Sequence, residues 1–310
     1  MSNKIGWLVN DCLTCIPDTK TFWHFLLSFV DGLEDKTGGY TDFRVLPKII
    51  EELYAKTEEK PKYVVRNATF FRNLAIPVKT ISLLQDPYSQ GTRLFNMQIE
   101  VCNTSDVVVF NSKYTFELYN KFISKNVKRV IIPIGTDSVL FNNKGCIKNK
   151  KTIVYVGSSN EEFKGFSMVK ELINKTNYNF NLVMKDGFSI SHPRVKVYNK
   201  ISQERLSDIL NHSDILVCPS KKETLHLAGI EAAFCGTPVV AAAVGVYPSL
   251  VGKYKWGEII EDYSVEGYLA KVKQVILNYD DYQPRESMFY NQLDKESCGK
   301  RWVNIIKQLS

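Results

Sequence analysis

Long apolar runs are missing from this chain of 310 residues. The longest, Phe22 to Val30, is short and broken by His24 and Ser28, whereas a membrane-spanning helix needs about 20 apolar residues. The opening Met-Ser-Asn-Lys passes straight into a strand-like stretch, which is not the pattern of a secretory leader. Histidine is scarce, at four residues, and the Cys-x-x-Cys of Cys12 and Cys15 has no second ligand pair nearby. Two loop cysteines account for that spacing better than a zinc or redox site. Seven cysteines in all is an odd number spread along the chain, which argues against a disulfide framework and for a reducing, cytoplasmic setting. No strand-like run is followed by Gly-x-Gly-x-x-Gly, so a dehydrogenase is disfavoured, and P-loop and serine-hydrolase motifs are lacking too. Long basic blocks are also missing, which speaks against nucleic acid as a partner.

What is present fits a folded protein of two domains. Hydrophobic residues make up 44% and charged residues 24%, which excludes disorder and coiled coil. Lysine and arginine number 40 against 33 acidic residues, a net charge of +7. That excess suits a phosphate-bearing ligand or an anionic surface.

Short apolar strands alternate with helices. Strand patterns occur at 5–9, 63–65, 78–84, 106–110 and 130–134, with helical patterns at about 18–33, 47–56, 92–103 and 114–122. The helix over Phe22 to Leu33 is apolar and aromatic, which suits core packing or peripheral contact with a membrane. A polar, basic stretch at 142–151 reads as a linker. The pattern then restarts, with strands at 152–156, 180–184, 195–198, 214–218 and 238–243. Between and after them come helices at 166–175, from Ser202 onward, at 225–234, 265–277 and 297–309. Alternation of this kind predicts an α/β fold of two doubly wound, Rossmann-like domains facing a cleft. The expected domains are 1–145 and 146–295, with a last helix at 296–310 that may be expected to fold back on the first. Ligands of such folds sit beyond the carboxyl ends of the strands.

The most informative segment runs from Cys218-Pro-Ser through Glu223-Thr-Leu-His-Leu-Ala-Gly-Ile-Glu231 to Gly236-Thr-Pro238. A strand ends, a polar loop follows, and a helix is expected to start near Thr224. The backbone N–H groups of Leu225, His226 and Leu227 would then face an anion at the helix start. Gly236 and Pro238 mark the helix end. Glu223 and Glu231 stand eight residues apart.

This segment resembles the Glu-x7-Glu region of family 4 retaining glycosyltransferases, which have the two-domain GT-B fold. Tyr155-Val-Gly157, Lys164-Gly165, Val183-Met-Lys-Asp-Gly187, Asp214 to Ser220, Asp106 to Ser112 and Ile132 to Asp137 extend the resemblance. It covers about residues 80 to 250.

The resemblance implies a sugar transfer from a nucleotide-diphosphate sugar to a hydroxyl of a glycan, lipid or protein, with anomeric configuration retained. Lys164 would pair with the diphosphate and Glu231 with the ribose hydroxyls. Glu223 would bind the transferred sugar, and the amides of Leu225 to Leu227 the sugar and β-phosphate. Gly157, Ser158 and Ile201 would line the donor site, with Ile201 at the base. Gln85 and Asp86 stand where many members have His-Asp. No metal is implied, no Asp-x-Asp is present, and no cofactor beyond the donor is expected. Ser158 replaces a common arginine, and His226 a small residue, usually glycine. These departures keep a second reading open, a catalytically silent subunit that binds nucleotide-sugar or glycan.

Overall fold

A computed structural model describes residues 5–8, 63–68, 79–85, 88–148, 151–282 and 292–309. The helices expected over 18–33 and 47–56, the Cys12 and Cys15 pair, and Asp86 lie outside the described residues. The chain divides into two compact units, residues 1–135 with 295–310, and residues 136–294.

The first unit holds a parallel sheet of β1 (Ile5–Leu8), β2 (Tyr63–Asn67), β3 (Lys79–Leu84), β4 (Val107–Phe110) and β5 (Lys128–Ile131), adjacent in that order. β4 reads Val-Val-Val-Phe and is buried at every residue, as a strand covered on both faces must be. Helices α1 (Arg93–Asn103) and α2 (Lys113–Tyr119) are capped by Thr92 and Ser112, whose hydroxyls accept from the amides three residues on. That satisfies donors the helix itself leaves open. Phe95, Val101 and Tyr119 pack with Leu84, Val108 and Phe110. β5 ends earlier than the expected 134; its last bond to β4 runs from the Ile132 amide to the Phe110 carbonyl, and Pro133 follows.

The last helix, here α3 (Lys295–Leu309), belongs to this same unit. Cys298, Trp302, Ile305 and Ile306 recur at helical spacing. They pack with Ile81, Leu83, Val107, Val109 and Ile132.

The second unit holds six parallel strands: β6 (Thr152–Gly157), β7 (Asn179–Met184), β8 (Val195–Asn199), β9 (Ile215–Cys218), β10 (Val239–Ala241) and β11 (Gly257–Ile259). Their spatial order is β11-β10-β9-β6-β7-β8. The chain builds outward from β6 in one direction, then returns to place β9 on the other side of β6. The strand order therefore reverses between β6 and β9, the place where folds of this kind bind ligands. Helices α4 (Phe166–Lys175), α5 (Gln203–Asn211), α6 (Leu227–Phe234) and α7 (Tyr247–Leu250) connect strands, and α8 (Val265–Leu277) follows β11.

The two units divide between Gly135 and Thr136, whereas the sequence pattern sets the break after 145. Hydrogen bonds explain the difference. Ser207 donates to the Leu140 carbonyl, and Asn211 bonds to both Asn142 and Lys144. The Lys148 ammonium donates to the carbonyls of Asn211 and Ser213 and to the Thr237 hydroxyl. Burial pushes Lys148 down to about 8. The polar stretch expected to be a free linker is thus strapped along α5.

Candidate active site

The loops after β6 and β9 lie side by side at the point of strand reversal. After β6, the chain passes through a short turn, Glu162–Lys164, into Gly165. After β9 it passes through Pro219 to Glu223. The amide of Lys221 donates to the Phe163 carbonyl at 2.7 Å, and Tyr263 donates to the Pro219 carbonyl at 2.5 Å. Gly165 makes this closeness feasible. Its φ is +69°, and a Cβ there would stand 2.1 Å from the Pro219 oxygen.

That approach brings Lys164 and Glu223 together across 59 residues of sequence, with Nζ 2.8 Å from Oε1. Both are largely covered, at 23% and 11% side-chain exposure. A charge-assisted bond at that depth is stronger than one on an open surface. Burial works to raise the Glu223 pKa, but His226 and Lys164 outweigh it, so the carboxylate titrates below its ordinary range. The ammonium assigned by resemblance to a diphosphate is therefore held by the carboxylate assigned to the sugar.

The helix begins later than the sequence suggests. α6 starts at Leu227, and His226 is its N-cap with φ 66° and ψ 74°. That left-handed conformation breaks any helical path through Thr224 and Leu225. The Leu225 carbonyl instead accepts from Val246, and its side chain is buried. The first-turn amides of α6 itself are consequently those from Leu227 on. Glu231 lies one turn along α6, half-buried. The helix ends as expected. Gly236, at φ +70°, lets Gly236 and Thr237 bond back to Ala233 and Ala232.

Gly157 and Ser158 serve the loop itself. The Tyr155 phenol reaches the carbonyls of Ser158 and Lys164, and a Cβ on Gly157 would sit 2.3 Å from its oxygen. Ser158 is buried and donates to Asp186 at 2.9 Å. The same Asp186 oxygen accepts from both the amide and hydroxyl of Ser159 and from the Asn160 amide. Partial burial raises the Asp186 pKa, but these bonds overcome it and bring it down to about 2. Asp186 and Tyr155 are the organisers of this loop that a motif reading passes over. The signal available was the Asp-Gly pair closing β7.

Ile201 is half-buried just before the Ser202 cap of α5. Gln85 follows β3 in the first unit, where its carbonyl accepts from Asn111. Among the described residues, no group of three metal-ligating side chains gathers, and no helix is long and apolar enough to cross a membrane.

Residues 139–292 match the family described as Glycosyl transferases group 1. A D-inositol 3-phosphate glycosyltransferase from Mycobacteroides abscessus is 36% identical over 76 residues, 24% of this chain and 17% of that protein. Another, from Corynebacterium aurimucosum, is 24% identical over 65% of this chain and 55% of its own length. The chain thus matches only part of these relatives. Among solved structures, Anabaena HepE in complex with UDP-glucose superposes with a TM-score of 0.74 at 14% identity, covering 98% of this chain and 99% of that one. The fold is that of GT-B glycosyltransferases.

Proposed function

We propose that this chain, whose residues 139–292 match the group 1 glycosyltransferases, transfers a sugar from a nucleotide-diphosphate donor to a hydroxyl acceptor with retention of configuration and without a metal. The observation that carries this is the largely covered Lys164–Glu223 pair at the strand-reversal point, beside the start of α6.

Departure of a nucleoside diphosphate concentrates negative charge on phosphate oxygens. An ammonium has three protons, so Lys164 can keep Glu223 and still donate to a phosphate. The first-turn amides of Leu227 and Ala228, with the α6 dipole, add to that stabilisation. Glu223, kept ionised, accepts from sugar hydroxyls, and Glu231 from the ribose. A leaving phosphate oxygen on the face of attack takes the acceptor's proton, so the new bond forms on the face the old one left.

Thermal shift with UDP, GDP, ADP and dTDP and their sugars tests the donor site. The HepE complex with UDP-glucose places uridine forms first in that panel. Ligand at about 100 times its Kd adds about 2.7 kcal/mol, which is a shift of several degrees. A flat panel would overturn the donor site, and binding without turnover on any acceptor would favour the silent subunit. Glu231→Ala removes bonds worth about 1.5–3 kcal/mol, so donor affinity should fall about tenfold or more. Unchanged affinity in the folded variant would remove Glu231 from the site.

A further inference from the structure

His226 occupies a backbone region that costs an L-residue roughly 1–2 kcal/mol and that glycine enters freely. One buried side chain bonds to it there. Its Nδ1 shares a hydrogen bond with the Tyr247 phenol. The Tyr247 ring is fully buried and rests against Trp256, with centroids 5.4 Å apart. Gly229, one turn into α6, leaves the space they need. A Cβ there would stand 2.1 Å from the phenol oxygen and 3.0 Å from His226 Nδ1. Gly229 has ordinary helical geometry, so what requires glycine there is this cluster.

His226 is the joint between Glu223 and the helix. Its left-handed turn fixes the direction in which α6 leaves the loop, and hence where the Leu227 and Ala228 amides point. We infer that Tyr247 is a positioning residue of the donor site, acting through His226 to hold its left-handed turn. The inference builds on the donor-site proposal above.

A double-mutant cycle in the full chain tests it. Tyr247→Phe removes one oxygen and keeps the ring. UDP affinity, measured by calorimetric titration, should fall about threefold to tenfold, the effect of one buried hydrogen bond. Whatever affinity His226→Gly has, adding Tyr247→Phe to it should change nothing further, because glycine holds the turn without help. Equal losses in both backgrounds, or no loss in either, would overturn the inference. Amide exchange in the ligand-free chain reads the same coupling without a donor. Exchange at Leu227 to Ile230 should quicken in Tyr247→Phe and not in the double variant over His226→Gly, and unchanged exchange would overturn the inference. If wild type binds no nucleotide while the exchange result holds, the donor-site proposal fails and the positioning of α6 stands.

Discussion

Gly165 meets a constraint that no side chain can satisfy. Its positive φ alone would cost alanine about 1–2 kcal/mol, and the Pro219 carbonyl occupies the place of a Cβ. Gly165→Ala must push the two loops apart, at a total cost of about 2–4 kcal/mol. Because those loops carry Lys164 and Glu223, nucleotide affinity should fall along with stability. Urea unfolding and nucleotide titration on one preparation would check both; an affinity loss without a stability loss would contradict this account. Asp186 makes a different kind of prediction. Its folded pKa, about 2, lies below the value near 3.9 of an unfolded aspartate. Its contribution is therefore complete above about pH 4 and is lost as pH falls toward 2. Asp186→Asn should cost about 1 kcal/mol at neutral pH, and the gap to wild type should close below pH 2. A gap that persists in acid would mean that shape, not charge, holds the 158–160 loop.

Elements were readable where a local signal exists. Ser202 caps α5 and Gly236 ends α6 because each acts on amides or carbonyls within a few residues. The start of α6 was not readable, since His226 turns left-handed under the influence of Tyr247, 21 residues away. The strap over 136–148 was equally hidden, because its partners, Ser207, Asn211 and Thr237, lie far along the chain. α3 shows helical spacing in its sequence, but which sheet it covers comes only from packing. Trp302 is buried against that sheet. Trp302→Ala should cost about 3–5 kcal/mol and lower the melting temperature of the first unit by about 10 °C. Intact melting in this variant, or in a chain ending at 294, would show that the helix adds little to that core.

At the scale of the whole chain, the Lys164–Glu223 pair is a product of topology. Lys164 and Glu223 are 59 residues apart, and each alone reads as an ordinary surface charge. They meet because β9 returns to lie beside β6, and the alternation of strands and helices does not disclose that order. What the alternation does disclose is that functional residues should sit in the loops after strands, and the Lys164–Glu223 pair proposed for the site lies in two such loops. The pair, its loops and the start of α6 all lie within the second unit, while Trp302 and the α3 core lie in the first. Ligand linkage acts only on the unit that binds. Scanning calorimetry should therefore separate the two: UDP should raise the transition that Gly165→Ala lowers and leave in place the transition that Trp302→Ala lowers. If UDP raised both transitions equally, the units would unfold as one, and the free energy of donor binding would be shared across the whole chain.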